Sequence, residues 1–276
     1  MSITLENKVV LITGASSGIG AAAAIAFDKA RAKVALAARR IDKLEEISKL
    51  LRDALVLRTD ISVEAQAIKM VEDTVAHYGM IDILINNAAC IIVSPAETVL
   101  PEDMLKALRT NLIGPIVATQ RAAKHMRNHG GGHIINVGSP GFMMGIPFYS
   151  PYVCSKAAFS AWTRTLQAEW ANSKIIVSEY FPGYIKTDSK PESRIGDVEQ
   201  DLLMKTGQNF ISLMFTKPRT AEDVAHDLVR LAIKPKTLVY SGFTVRLGAW
   251  IANFAGFRLK LAKEMAQTAR MKMEER

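Results

Sequence analysis

Short apolar runs alternate with longer segments of helical periodicity along most of the chain. Continuously apolar strands separated by amphipathic helices are typical of a parallel sheet that is covered on both faces. The predicted strands are Lys8–Thr13, Lys33–Ala38, Leu55–Leu57, Ile81–Ile85, His133–Val137, Ile175–Tyr180 and Thr237–Tyr240. The predicted helices are Ile19–Lys29, Asp42–Leu51, Val63–Tyr78, Pro101–Met126, Pro151–Trp170 and Ala221–Ile233. The alternation therefore predicts an α/β fold with a doubly wound, seven-stranded parallel sheet and helices on both faces.

Length and composition favour one large α/β domain. The chain has 276 residues, of which 49% are hydrophobic, and no internal repeat or low-complexity linker divides it. We expect residues 1–241 to form this domain and residues 242–276 to add an apolar and basic helical extension, packed on the domain or at an interface. The two cysteines, Cys90 and Cys154, are too few for a disulfide framework or a metal cluster, so we expect reduced thiols in the cytoplasm. We expect no signal peptide and no spanning helix, because no stretch reaches the about 20 apolar residues that such a helix needs.

The formal net charge of +8 is spread along the chain and forms no basic block. No stacking-aromatic motif accompanies the Lys and Arg residues, so the pattern does not favour nucleic-acid binding. A basic protein that holds an anionic cofactor is the better interpretation.

A glycine-rich segment, Thr13–Gly20 (TGASSGIG), joins the first predicted strand to the first predicted helix. Glycine allows the backbone to turn tightly and to approach a pyrophosphate, and the helix N-terminus adds N–H groups and positive dipole. A tight strand–helix turn would explain the glycines without any ligand, but the strand before, the helix after and the leading threonine favour a dinucleotide cofactor. The predicted phosphate-contacting residues are Gly14, Ser16, Ser17, Gly18, Ile19 and Gly20.

The end of the second predicted strand distinguishes between the two nicotinamide dinucleotides. NAD-binding units usually place an acidic residue here to bind the ribose 2′-hydroxyl, whereas this chain has Arg39 and Arg40 and no acid before Asp42. Guanidinium groups bind phosphate through paired donors, so the two arginines favour the 2′-phosphate of NADP. A solvated basic turn is the alternative explanation, and NAD remains open as the cofactor.

Tyr152 and Lys156 lie four residues apart in a predicted helix, and therefore on one face of it. A nearby cation stabilises phenolate and lowers a tyrosine pKa by roughly 1–3 units from about 10. Such a pair can exchange protons near neutral pH. A chance surface pair is the alternative, and the two residues alone do not decide between them. Tyr149 has Val153 as its i+4 neighbour, which makes Tyr152 the better candidate for chemistry.

The order of these motifs resembles that of the short-chain dehydrogenase/reductase family, in its standard-length branch with TGxxxGxG and YxxxK motifs. The resemblance is close over roughly the first two-thirds of the chain and looser to about residue 240. It implies a Rossmann-type fold and an NAD(P)-dependent enzyme. Asp60 and Ile61 match the adenine contact after the third strand. Asn87 and Ala88 match the NNAG motif after the fourth, in which Ala89 replaces the usual glycine.

The segment after the sixth predicted strand matches the family's PGxxxT motif, which cradles the nicotinamide. A Pro–Gly turn that ends a strand would explain the same residues. The implied cofactor contacts are Pro182, Gly183, Ile185 and Thr187, with Tyr152 and Lys156.

The resemblance assigns catalytic roles to Asn111, Ser139, Tyr152 and Lys156. Tyr152 is implied to protonate the carbonyl oxygen during hydride transfer, and Ser139 to stabilise the developing alkoxide. Lys156 is implied to bind the nicotinamide ribose and to lower the pKa of Tyr152, and Asn111 to anchor a water for proton relay. An ordinary interface hydrogen bond would also explain Asn111, and a strand-end turn would explain Ser139.

The implied reaction is the interconversion of a carbonyl and a secondary alcohol. The segments that line the pocket in this family, Cys90–Val93, Gly141–Pro147 and Asn209–Phe215, are apolar here, which favours a hydrophobic ketone or alcohol. Ordinary core packing would explain these residues as well. The predicted substrate contacts are Ser139, Gly141, Phe142, Met143, Tyr149 and Tyr184.

Two other functions stay open. One is a reductase of 3-oxoacyl thioesters or 3-hydroxy acids in lipid metabolism. The other, of a different class, is a nucleotide-sensing module without catalysis, although the complete set of four implied catalytic residues argues against it.

The C-terminal segment Leu247–Phe257 is apolar and is followed by Arg258, Lys260 and Lys263. This pattern suits a helix at a membrane surface, and it suits a lid or a subunit contact equally well. The family resemblance further implies a homodimer or homotetramer, packed through Pro101–Met126 and Pro151–Trp170.

Overall fold

Seven strands form a single sheet in the order β3-β2-β1-β4-β5-β6-β7. The computed structural model of the protein describes residues 5–183, 185, 219–242 and 245–247. The strands are β1 (Val9–Thr13), β2 (Lys33–Ala38), β3 (Ala54–Arg58), β4 (Ile83–Asn86), β5 (Gly132–Val137), β6 (Ile175–Phe181) and β7 (Leu238–Tyr240). Every neighbouring pair is parallel, which confirms the predicted fold class.

Helices cover both faces of this sheet, because each parallel connection must return from the carboxyl end of one strand to the amino end of the next. The described helices are α1 (Gly18–Lys29), α2 (Ile41–Ser48), α3 (Glu64–Tyr78), α4 (Pro101–Leu108), α5 (Gly114–Asn128), α6 (Gly141–Met144), α7 (Ser150–Glu169) and α8 (Ala221–Ile233). Helices α1, α2 and α8 contribute buried side chains to one hydrophobic cluster, and α3, α5 and α7 contribute to the other.

Strand β1 shows why these apolar runs form the middle of the sheet. Val10 and Ile12 belong to the cluster on one face, whereas Leu11 belongs to the cluster on the other, and all three are fully buried. Alternate residues of a strand point to opposite faces, so a strand buried on both sides must be apolar throughout. Each such side chain contributes about 1.5–3 kcal/mol of hydrophobic stabilisation.

The helix predicted over Pro101–Met126 is interrupted in the structure. A π-helical turn, Arg109–Ile113, separates α4 from α5, and Asn111 lies within it. Gly114 follows the turn, and a Cβ placed on it would lie 2.1 Å from the Ile61 carbonyl oxygen. The uninterrupted helix was therefore a wrong prediction. A π-helical turn changes the direction of the following side chains at one point, and such turns are frequent at functional sites.

The strand order places a crevice at the carboxyl end of β1. Strand β1 has β2 on one side and β4 on the other, so the connections that leave β1 and β4 diverge. Ligands of open α/β sheets bind at such a switch point. The glycine-rich segment follows β1, the Asn87 motif follows β4, and Ser139 follows β5. The fold thus gathers sequence-predicted site residues at one edge of the sheet.

Some sequence predictions fall outside the described residues. These are the contacts by Tyr184 and Thr187, the segment Asn209–Phe215 and all of Leu247–Phe257 except its first residue. The boundary at residue 241 stays a prediction for the same reason. In the part of the chain that the structure describes, no helix is both long and apolar enough to cross a membrane.

Candidate active site

The glycine-rich loop turns tightly against the end of β4. Gly14 and Gly18 have φ angles of 69° and 53°, in the left-handed region where glycine is unstrained. A Cβ on Gly14 would lie 2.8 Å from Ala88 Cα, and one on Gly20 would lie 2.3 Å from the Gly14 carbonyl oxygen. Side chains at these two positions would therefore push the loop away from the crevice.

The side chain of Thr13 fixes the loop to β4. Its hydroxyl donates to the Ile85 carbonyl at 3.2 Å and accepts from the backbone N–H groups of Asn87 and Ala88 at 3.0 and 3.1 Å. The Asn87 amide donates in turn to the Thr13 carbonyl at 2.9 Å. Thr13 led the motif in the sequence, and the structure shows that it joins the two strand ends.

Helix α1 begins at Gly18, and its N-cap residue Ser17 makes no side-chain hydrogen bond to the helix backbone. The first N–H groups of a helix have no partner within the helix, so they can bind an anion. The Arg40 guanidinium lies beside them and donates to Ser16 Oγ at 3.0 Å and to Ser17 Oγ at 2.7 Å. Arg39 and Arg40 are both exposed. The Arg40 guanidinium therefore lies at the open edge of the loop.

Asp60 and Ile61 lie at the end of β3, as predicted. Asp60 Oδ1 accepts from the Ser62 N–H at 3.0 Å and from its hydroxyl at 2.6 Å, which closes the turn into α3. Ile61 is buried, and its carbonyl packs against Gly114. These contacts stabilise the wall of the crevice.

Asn111 is fully buried, and its amide is held on both sides. Its Oδ1 accepts from the Cys90 N–H at 2.6 Å, and its Nδ2 donates to the Cys90 carbonyl at 2.9 Å and to Ser155 Oγ at 2.8 Å. The Ser155 hydroxyl donates to the Tyr152 carbonyl at 2.8 Å. Asn111 thus links the segment after β4 to the helix that carries Tyr152 and Lys156.

Ser139 and Tyr152 come together at the end of β5. Ser139 is 9% exposed, and its Oγ accepts from the Gly141 N–H at 3.2 Å. Tyr152 is half-buried as a whole, and burial of the phenol raises its pKa, while the neighbouring Ser139 hydroxyl lowers it. The sequence predicted a lowered pKa for Tyr152. That prediction was wrong for this structure, because burial outweighs the stabilisation of the phenolate.

Lys156 lies on the same face of α7, one turn after Tyr152. It is 3% exposed, and its Nζ donates to the Val137 carbonyl at 2.8 Å. Burial lowers the pKa of Lys156 to about 8, and the carboxylate of Glu179 opposes this shift. A lysine with such a pKa can gain or lose its charge near neutral pH.

Pro182 and Gly183 follow β6, where the resemblance placed the nicotinamide contact. A Cβ on Gly183 would lie 2.9 Å from Val245 Cγ2, so the turn is closely packed. Ile185 forms an isolated parallel bridge with Arg219. The described part of the PGxxxT segment therefore lies at the same edge of the sheet as the glycine loop.

The predicted substrate contacts lie on α6 and on the loop before α7. Gly141 and Tyr149 are buried, and Phe142 and Met143 are half-buried. The ring of Phe142 lies 6.0 Å from that of Phe181. In the Cys90–Val93 run, only Ile91 is half-buried and the other three side chains are buried, so most of that run packs inside the domain.

A buried polar network below the site was missed by sequence reasoning. Asn86 Nδ2 donates to Asn136 Oδ1 at 2.8 Å and to Thr119 Oγ1 at 2.9 Å, and Asn136 Nδ2 donates to Thr163 Oγ1 at 3.0 Å. These bonds tie β4 and β5 to α5 and α7. The available signal was Asn136, which follows the apolar Ile134 and Ile135 in β5.

The described residues contain no group of three or more His, Cys, Asp or Glu side chains arranged to hold a metal ion. Of the two cysteines, Cys90 is buried and Cys154 is exposed.

Residues 8–197 match the family model of the short chain dehydrogenases. Versicolorin reductase 1 of Aspergillus parasiticus is 32% identical over 191 residues, which cover 67% of this chain and 72% of that protein. The 11-beta-hydroxysteroid dehydrogenase-like protein 4A of Arabidopsis thaliana is 32% identical over 254 residues, covering 90% and 81%. The crystal structure of a 3-ketoacyl-(acyl-carrier-protein) reductase from Brucella melitensis, complexed with NADH, superposes with a TM-score of 0.74 and 28% identity, covering 86% and 97%. The chain therefore belongs to the short chain dehydrogenase family and is an NAD(P)-dependent oxidoreductase.

Proposed function

We propose that the protein interconverts a carbonyl and a secondary alcohol on a hydrophobic substrate, with NADP as the hydride carrier and Tyr152 as the general acid and base. The observation that carries this proposal is the convergence of Ser139, Tyr152 and Lys156 at the end of β5, beside the loop at the end of β1. Their hydroxyl and ammonium groups can move a proton next to a bound carbonyl.

The residues around the crevice fit a nicotinamide dinucleotide. Gly14 and Gly20 approach their neighbours closely, so no side chain of the loop projects into the crevice at these two positions. The first N–H groups of α1 can then bind a pyrophosphate. Arg40, already oriented over the loop by Ser16 and Ser17, can pair with a 2′-phosphate. This placement supports NADP over NAD. When bound, the cofactor supplies or accepts the hydride, and the protein handles the proton.

The raised pKa keeps Tyr152 protonated in the free protein, which suits a general acid in carbonyl reduction. Ser139 Oγ accepts from the Gly141 N–H and its hydroxyl lies beside the Tyr152 phenol, so Ser139 can donate its proton to a substrate oxygen bound there. The positive charge of Lys156 favours the phenolate that remains after proton transfer. Each group thus has a different part in moving one proton.

Asn111 positions the site through its side chain, and we assign the predicted water anchor to its backbone carbonyl. Both ends of its amide are already bonded to Cys90 and Ser155. Pro115, four residues further on, has no N–H group to donate to the Asn111 carbonyl. That oxygen is therefore suited to hold a water that returns a proton to the site.

A hydrophobic substrate is supported by the apolar surroundings of Ser139. Phe142 and Met143 are half-buried on α6, where a ligand can cover them. Two relatives are named for versicolorin and for an 11-beta-hydroxysteroid. We therefore expect an apolar cyclic ketone or its alcohol. The name of the Brucella melitensis reductase makes a 3-oxoacyl thioester the second candidate.

We also propose a homodimer or homotetramer packed through α4, the π-helical turn and α5, together with α7. Leu105 and Ile113 are apolar side chains of this segment that are 51% and 36% exposed. Exposed apolar groups on one surface favour a protein contact.

The test is a substrate panel followed by NADPH absorbance, with NADH measured in parallel. We expect the highest kcat/KM for apolar cyclic ketones with NADPH. Higher kcat/KM for 3-oxoacyl thioesters would favour the second candidate, and activity confined to small polar keto acids would contradict a hydrophobic substrate. Equal kcat/KM with NADH would contradict the NADP preference. A flat trace over ketones and alcohols of all classes would favour the nucleotide-sensing module.

A further inference from the structure

A carboxylate is buried directly beside the proposed proton-transfer residues. Glu179 lies in the middle of β6 and is 1% exposed. Neither of its carboxylate oxygens accepts a hydrogen bond of ordinary geometry from the described residues. Burial of a charged group is costly unless another charge compensates for it. The mechanism proposed above leaves this group without a function.

Three residues of α7 face Glu179 at a spacing of four. Lys156, Ser160 and Arg164 follow one another on a single side of the helix. Arg164 Nε lies 3.6 Å from Glu179 Oε2, and Ser160 is 2% exposed with a hydroxyl that makes no hydrogen bond to the described residues. Two basic groups therefore flank one buried carboxylate.

The strand register places Glu179 next to the anchor of Lys156. Glu179 pairs with Asn136 on β5, and the next residue of that strand, Val137, accepts the hydrogen bond from Lys156 Nζ at 2.8 Å. A Cβ on Gly138 would lie 3.5 Å from Glu179 Oε1, so no side chain separates the carboxylate from the end of β5. The nearness of Glu179 to the anchor of Lys156 thus follows from the register of the sheet and does not depend on a loop.

The charges of this group of residues influence one another. Burial raises the pKa of Glu179, while Ser160, Arg164 and Lys156 lower it. Burial lowers the pKa of Lys156, while Glu179 raises it. Tyr240 on β7 lies near Glu179 and Arg164. Burial raises the pKa of Tyr240, Arg164 lowers it and Glu179 raises it. Glu179 and Lys156 each stabilise the charged form of the other.

We propose that Glu179 is a positioning residue for proton transfer, which acts by keeping the Lys156 ammonium charged beside Tyr152. The inference rests on the proposed function for the role of Lys156 in catalysis. Arg164, whose side chain is 55% exposed, completes the group at the surface and stabilises the carboxylate from the other side. Without Glu179, burial alone would favour the neutral amine, and the phenolate would lose the cation that lies one turn away on α7.

The experiment replaces Glu179 by its neutral isostere, Glu179→Gln, and measures the titration of Lys156 directly. Protein labelled with ¹³Cε-lysine gives one resonance per lysine, and the Lys156→Arg variant identifies the resonance of Lys156. We expect the Lys156 midpoint to fall by about one pH unit or more in Glu179→Gln. The alkaline limb of kcat for carbonyl reduction should move to lower pH by the same amount. Glu169→Gln, the same change at an exposed position of α7, is the matched control and should leave both profiles in place.

The two measurements separate this inference from the proposed function. An unchanged Lys156 midpoint in Glu179→Gln would overturn the electrostatic coupling, whatever the activity. A shifted midpoint with an unchanged rate profile would overturn the role of Lys156 in catalysis. Glu179→Asp retains the charge and should give a midpoint closer to the wild type than Glu179→Gln does. If Glu179→Gln does not fold, the ¹³Cδ resonance of Glu179 in the wild type, assigned with Glu179→Asp, decides: a neutral carboxyl at pH 7.5 would contradict the inference.

Discussion

At the end of β1 the crevice is formed by backbone and by exposed side chains, whereas beside β5 and β6 the site is built on buried titratable groups. Gly14 lies against Ala88 with no room for a side chain, and Arg40 reaches over the loop from the surface. Lys156 and Glu179, in contrast, are 3% and 1% exposed. The first region can hold an anion, and the second can move a proton.

The difference teaches which property each region can control. An exposed guanidinium keeps its charge and is screened by solvent, so at the loop we expect it to act mainly on cofactor affinity. Buried groups interact through a medium of lower effective dielectric, where burial and one nearby charge shift a pKa by whole units. Changes at the loop should therefore alter cofactor binding, and changes around Tyr152 should alter turnover and its pH dependence.

The largest expected effect is at the buried region. Tyr152→Phe removes one hydroxyl, and we expect kcat to fall roughly 10²–10⁴-fold because the general acid is lost. Cofactor affinity should stay near that of the wild type, since the loop is untouched. Steady-state turnover and NADPH fluorescence titration measure the two quantities. Tyr78→Phe is the control, because its hydroxyl bonds the Val34 carbonyl at 3.3 Å on another strand. Near-normal turnover in Tyr152→Phe would refute its role.

A change at the loop should have the opposite signature. Gly14→Ala combines a φ of 69° with a Cβ only 2.8 Å from Ala88 Cα, so we expect a loss of about 2–4 kcal/mol in the free energy of unfolding. NADPH affinity should fall about tenfold or more, with kcat at saturating cofactor less affected.

Gly79→Ala is the matched control for this change. Gly79 has a φ of 84°, yet no heavy atom lies within 4 Å of its Cβ position, so the substitution tests the backbone strain alone. Its expected cost is about 1–2 kcal/mol, with normal NADPH affinity. Urea unfolding and fluorescence titration compare the two variants. Equal losses in the free energy of unfolding, with NADPH affinity retained in both variants, would show that the close approach at Gly14 affects neither stability nor cofactor binding.

The same comparison explains what the sequence could predict. The glycine loop and the seven strands follow from local spacing, because periodicity and glycine geometry are local properties. The Asn111, Ser139, Tyr152 and Lys156 set came from the resemblance to a family, and its catalytic roles stay a prediction. All seven predicted strands are present within two residues of their predicted ends. The sheet and the motif positions were therefore readable without a structure.

The pKa of Tyr152 and the function of Glu179 could not be predicted in the same way. Both depend on which side chains from other elements surround them, and spacing along one helix does not determine burial. From sequence alone, a glutamate in an apolar run is interpreted as an edge or surface residue. Its burial becomes clear only when the structure shows which residues of α7 face it. The π-helical turn at Asn111 also escaped prediction, because α-helical periodicity continues on both sides of it.

A smaller effect on cofactor affinity is expected when a single charge is removed from the exposed side of the glycine loop. Arg40→Ala should weaken NADPH binding about 10–100-fold, since a charge-assisted hydrogen bond contributes about 1.5–3 kcal/mol. NADH binding should change little, because NADH has no 2′-phosphate. Arg230→Ala, at a side chain 75% exposed on α8, is the control. Equal losses of affinity for NADPH and NADH would mean that Arg40 supports the loop through Ser16 and Ser17 and does not bind the 2′-phosphate.

The smallest effect tests whether burial also governs titration at the amino end of β5. His133 is 5% exposed, its Nε2 bonds Ser178 Oγ at 2.7 Å, and burial lowers its pKa to about 4. The unfolded chain takes up this proton near pH 6.5 and the folded protein does not, so stability is lost as the pH falls from about 6.5 towards 4. We expect the free energy of unfolding to fall by about 1–2 kcal/mol between pH 7 and pH 5. This loss should be absent in His133→Gln and retained in His129→Gln, which changes an exposed histidine. Urea unfolding at both pH values measures the difference. Parallel losses in the wild type and His133→Gln would show that burial controls titration only around Lys156, and the contrast between the two regions would then belong to the active site alone.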